Sequence, residues 1–188
     1  MDALMAALVA AALAQASDKT PWLAGMLGTR FARPVAAILG TALALALGNT
    51  LAALAGVLVA HEMSPNARDL FLAVALIFAG VGAFSPIKPP DRLAGWKTGA
   101  FLTSLLGVFI LALGDRSQFI TAAITARSPS PWLAAAGATI GTLAVNIPAI
   151  LAGEEARGQL PITAVRIAVG VLFLLVGVYL ALGAIRLI

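Results

Sequence analysis

The chain has 188 residues, of which 61% are hydrophobic and 11% charged. Soluble domains carry about 25% charged residues, so a mean hydropathy of +1.02 excludes an ordinary soluble enzyme, a disordered chain and a nucleic-acid binder. The net charge of +4 sits on basic residues spread over short loops between apolar runs, the pattern of membrane anchoring rather than of a nucleic-acid face.

A membrane span needs about 20 apolar residues. In chain order, segment 3–29 is apolar but broken by Asp18 and Lys19 near its centre. It has no basic stretch ahead of it and continues past Asp18, so it reads as a first span rather than a signal peptide. Charge-free runs follow at 34–60 and 70–87. Segment 98–126 is again interrupted, by Asp115 and Arg116, and runs 128–153 and 167–185 complete the set. The fold class expected is all-α, a polytopic membrane protein of six transmembrane helices. Loops 1–2, 3–4 and 5–6 hold Arg30, Arg33, Lys88, Arg92, Lys97, Arg157 and Arg166; the opposite face holds Arg68, Arg127 and Arg186. The excess puts the first set in the cytoplasm and both termini on the non-cytoplasmic side, in a membrane such as the bacterial inner membrane.

Shifting the sequence by 97 residues aligns its halves without a gap. Asp18 falls on Asp115, Lys19 on Arg116, Arg30 on Arg127, Pro34 on Pro131, Gly40 on Gly137 and Asn49 on Asn146. Between residues 18 and 56, ten of 39 positions are identical. The chain therefore divides into a three-helix repeat over 1–87, a hydrophilic linker over 88–97 and a second three-helix repeat over 98–188. Three is odd, so the second repeat enters the membrane from the opposite side. That is the inverted-repeat plan of many secondary transporters, with the site at the midplane between repeats.

A charge at a helix centre costs about 2.5–3.5 kcal/mol on insertion scales and marks a substrate path when it persists. Adjacent residues on a helix point about 100° apart, so Asp18 is expected to pair with Arg116 and Asp115 with Lys19 across the repeats, the two cations compensating the aspartates. Gln15 shares a helical face with Asp18, and Gln118 shares one with Asp115. Thr20 and Ser117 follow the two motifs, and Asn49 and Asn146 lie at equivalent mid-span positions. Two carboxylates, four amides and two hydroxyls form an oxygen-rich set that suits manganese, calcium or magnesium better than zinc or copper. Asp18 and Asp115 are the candidate metal ligands, with Gln15, Gln118, Thr20, Ser117, Asn49 and Asn146 completing the cation shell. The absence of cysteine and the single His61 exclude thiolate and multi-histidine sites within the chain. Pro21 can break the first helix and free carbonyls toward a cavity.

Ser17-Asp18-Lys19-Thr20 and Gly114-Asp115-Arg116-Ser117 are similar to the duplicated Glu-x-Gly-Asp-Lys/Arg-Thr/Ser motif of small cation/proton exchangers, a family first catalogued as uncharacterised protein family sixteen. It includes Golgi manganese/calcium transporters and bacterial manganese exporters. The resemblance covers nearly the whole chain and implies a cation site at Asp18 and Asp115. The glutamate positions of the family hold Gln15 and Ala112 here, and the first glycine position holds Ser17.

The function expected is secondary transport of a divalent cation, manganese ahead of calcium, in exchange for protons, with Mn2+ or Ca2+ as substrate and no cofactor. Two alternatives stand beside it: a related transporter with a changed substrate, and a non-transporting membrane subunit. The partners expected are the lipid bilayer, the divalent cation and protons, with a homo- or hetero-oligomer open. Gly137 and Gly141 form a GxxxG pair with Gly40 and Ala44 at the equivalent positions, read as packing the second span on the fifth. Trp96 and Trp132 suit interfacial anchoring, and His61-Glu62 reads as a solvated loop pair.

Overall fold

A computed structural model describes residues 2–16, 18–156 and 161–185. The expectations for Ser17, Arg157 and Arg186 concern positions outside that set. Among the described residues there are eight helices and no strand. They are α1 (Asp2–Ala16), α2 (Thr20–Phe31), α3 (Pro34–His61), α4 (Pro65–Ala83), α5 (Ala100–Ala112), α6 (Arg116–Arg127), α7 (Pro131–Ala156) and α8 (Ile162–Ala184). Proline opens α3, α4 and α7, where its missing N–H would have had no partner and its fixed φ suits the first turn.

Helices α3, α4, α7 and α8 are long and apolar enough to cross a membrane, and the α5–α6 pair, bent by 69° at its break, makes a fifth candidate. Helix α1, with 15 residues, rises about 22 Å at 1.5 Å per residue, short of a hydrocarbon core of about 30 Å. Both interrupted segments have thus become two helices joined at the charged motif. The outer surface is apolar: Leu39, Leu43, Leu47, Leu51, Leu58 and Phe78 are all exposed. The interior is built of alanine with buried Gln15, Thr20, Thr103, Thr121, Thr142 and Asn146. Lipid does not drive apolar side chains inward, so small residues and hydrogen bonds hold such helices together.

The packing repeats the 97-residue offset. Helix α1 lies along α7 and α5 along α3; α2 lies along α7 and α6 along α3. Gly137 meets the backbone of Leu4, and Gly40 meets that of Phe101, its equivalent. A Cβ at either glycine would enter the neighbouring main chain. Gly80 meets Leu174 and Gly177 meets Ile77, pairing α4 with α8. Each half therefore seats its broken helix on the long helix of the other. The GxxxG pair has a different partner from the one expected: Gly137 and Gly141 receive α1, at Leu4 and Leu8, rather than α3. The close-approach face is used by the short broken helix, while α3 and α7 meet along other faces.

Candidate functional site

The second break is set by local backbone chemistry. Leu113 leaves the helical region with ψ 115°, and Gly114 turns the chain at φ 76°, a left-handed conformation that favours glycine. Asp115 then caps α6: its Oδ1 accepts from Gln118 N at 2.9 Å and from Ser117 Oγ at 2.8 Å. Gln118 reaches back, its Oε1 accepting from Gly114 N at 2.9 Å. The arrangement resembles a capping box shifted by one residue.

The first break shares one backbone hydrogen bond with the second and has a different cap. Asp18 N donates to Gln15 O at 3.0 Å, as Asp115 N donates to Ala112 O at 3.0 Å. Pro21 occupies the position equivalent to Gln118. It has no N–H, so the backbone bond that holds Asp115 has no counterpart at Asp18. Thr20 Oγ1 lies 3.5 Å from Asp18 Oδ2, a longer contact than that of Ser117.

The two breaks meet. The Asp18 and Asp115 side chains lie within direct electrostatic and hydrogen-bonding reach of each other. Two ionised carboxylates that meet repel each other, and a proton or a metal cation between them would relieve that repulsion. Gln15 Nε2 donates to Asp115 Oδ2 at 3.0 Å and lies 3.3 Å from Ser117 Oγ. Asn146 Nδ2 donates to Gln15 Oε1 at 3.0 Å and to Thr142 O at 2.8 Å. Gln15, Thr20, Ser117 and Asn146 are buried, and Asp18 and Asp115 are half-buried.

The expected ion pairs do not form. Among the described residues the ion pairs are Arg92–Glu154 and Arg127–Asp69. Lys19 is exposed. Arg116 lies along α4 with its Nε 3.1 Å from the place a Cβ on Gly82 would take, and its buried Nη1 has no acceptor. The aspartates face each other rather than the cations beside them.

The expected cation shell is divided. Asp18, Asp115, Gln15, Ser117, Thr20 and Asn146 form one cluster. The amide oxygen of Gln118 is engaged at Gly114, while its nitrogen packs over Gly48. Asn49 Nδ2 reaches Thr139 Oγ1 at 3.3 Å and Thr142 Oγ1 at 3.5 Å. Thr142 thus joins the two asparagines, Asn49 through its hydroxyl and Asn146 through its carbonyl. Thr139 and Thr142 were missed in the sequence, although they lie seven and four residues before Asn146, on its helical face. Among the described residues no three His, Cys, Asp or Glu side chains gather as a metal centre. A cation here would have two carboxylates and otherwise neutral oxygens. A crevice of about 360 Å³ between α2, α7 and the start of α8 reaches Ala16 and Pro21 at the first break, with apolar walls that include Trp22, Pro148 and Val165. Neither aspartate lines it.

The family model described as "Divalent cation/proton antiporter GDT1" matches residues 3–89 and again 100–187, one match for each half. A Vibrio cholerae serotype O1 protein named "Putative manganese exporter" is 32% identical over 182 residues, covering 93% of this chain and 88% of that protein. No solved structure matches. With both halves matched, the chain belongs to the divalent cation/proton antiporter GDT1 family.

Proposed function

We propose that this chain is a secondary transporter exchanging a divalent cation, Mn2+ ahead of Ca2+, for protons, with Asp18 and Asp115 as the carboxylates that hold it. The observation that carries this reading is the meeting of the two aspartates from two broken helices nearly 100 residues apart. Family membership and the name of the Vibrio cholerae relative support a manganese substrate. Either a cation or protons can satisfy the facing carboxyls, which is the exclusive choice that exchange requires.

In this reading α1 with α2 and α5 with α6 each count as one broken span. The chain then has six spans in two inverted repeats, and access alternates as the two halves rock about the shared site. The charged ends support the sidedness. Arg30 donates to the carbonyls of Leu93, Ala94 and Trp96, and Arg92 pairs with Glu154 at 2.7 Å. The basic linker, the end of α2 and the end of α7 therefore share one face, assigned to the cytoplasm by its excess of Lys and Arg. An exporter in the inner membrane of a bacterium would load from that face.

The test is manganese flux into proteoliposomes under an imposed pH gradient. The native chain is expected to show gradient-dependent flux, and Asp18→Asn and Asp115→Asn are each expected to lose it. Full flux in a variant lacking both aspartates would sink the assignment.

A further inference from the structure

We propose that Gln15 is a positioning residue, locked by Asn146 as a hydrogen-bond donor that competes with the cation at Asp115, rather than an oxygen ligand to it. The inference rests on the transport reading above and refines its site.

The orientation of the amides follows from one fixed end. Thr142 O is a backbone carbonyl and only accepts. The Asn146 atom 2.8 Å from it is therefore the NH2 nitrogen. The same nitrogen is 3.0 Å from the Gln15 amide, so the Gln15 atom facing it is the oxygen. The other end of that amide, Nε2, then points at Asp115 Oδ2, 3.0 Å away. Turning the Gln15 amide over would set nitrogen against nitrogen at Asn146 and oxygen against oxygen at Asp115. Both amides are wholly buried, so each mismatch would leave a desolvated polar group unsatisfied.

The consequence falls on Asp115. Its Oδ1 receives Gln118 N and Ser117 Oγ, and its Oδ2 receives Gln15 Nε2. A cation approaching Oδ2 must displace an N–H donor. A glutamate at position 15 would accept from Asn146 with one oxygen and offer the other to the cation. The amide reverses that second contact. Ala112, at the equivalent position of the second half, offers neither. Asn146 and Gln15 together therefore lower the affinity of the Asp115 side and favour release.

The experiment measures the KM for Mn2+ uptake in proteoliposomes, with Mn2+ binding to the purified full chain followed by electron paramagnetic resonance. Gln15→Ala is expected to lower the KM roughly threefold and isosteric Gln15→Glu roughly tenfold, in keeping with loss of a charge-assisted donor and gain of a ligand. Asn146→Ala is expected to lower the KM in the native background, where Gln15 becomes free to turn, and to raise it in the Gln15→Glu background, where the carboxylate loses its donor. A merely structural asparagine would shift both backgrounds in the same direction. A KM that rises or stays the same in Gln15→Ala, or an Asn146→Ala effect of one sign in both backgrounds, overturns the inference alone. Failure of the native chain to bind or move Mn2+ overturns the transport reading and this inference together.

Discussion

Arg127 Nε donates to Asp69 Oδ1 at 2.7 Å, tying the last turn of α6 to the second turn of α4. At the equivalent positions 97 residues away stand Arg30 and Arg166, two cations that cannot pair. Arg30 instead holds the linker carbonyls, and the buried Nε of Arg166 has no acceptor. One end of the bundle is thus fastened by a direct ion pair and the other through the 88–97 linker. The chain has no cysteine, so a single cysteine reports cleanly. Asp69→Arg, which copies the cation pair of the other end, is expected to speed maleimide labelling of Ile124→Cys several-fold, and adding Arg127→Asp to restore protection. Unchanged labelling would mean that the pair fastens nothing, as many half-exposed pairs do.

The two aspartates should differ in what they do for stability. Asp115 accepts a backbone N–H as the cap of α6, whereas Pro21 denies Asp18 the equivalent donor. Loss of a cap costs about 1 kcal/mol. Asp115→Ala is expected to lower the Tm in detergent by a few degrees and Asp18→Ala to leave it nearly unchanged, while both abolish manganese flux. Equal effects on Tm would contradict the capping argument.

Pro21→Gln restores the missing N–H beside Asp18. It is expected to stabilise the start of α2 by about 1 kcal/mol and to raise the KM for manganese several-fold, because a carboxylate oxygen becomes committed to the backbone. A lower KM would show that the proline serves the turn alone.

Gly137 and Gly40 admit the backbones of Leu4 and Phe101. Gly137→Leu is expected to prevent α1 from seating on α7 and to reduce recovery of monodisperse protein sharply, a cost beyond the roughly 1–3 kcal/mol usual for overpacking. Gly95 has nothing within 4 Å of where its Cβ would lie, and Gly95→Ala should be recovered at native levels. Size-exclusion yield and thermal unfolding separate the two.

Much of this protein is determined by sequence alone, because the determinants are local. Apolar runs define the long helices, and prolines at 34, 65 and 131 open three of them. Asp18-Lys19 and Asp115-Arg116 mark the two breaks, since a helix cannot carry paired charges through its centre cheaply. The 97-residue offset is visible in the sequence and recurs in the contacts of Gly40 and Gly137. Partner choice across the fold was decided only by tertiary structure. The aspartates face each other and not Arg116 or Lys19. The GxxxG face of α7 receives α1 and not α3, and Gln118 is drawn into a cap while Asn146 turns Gln15 toward Asp115. Periodicity places a side chain on a face of its own helix, but two residues about 100 positions apart meet only through how helices pack. Hydrogen-bond direction then follows from the whole chain of partners, beginning here at the carbonyl of Thr142.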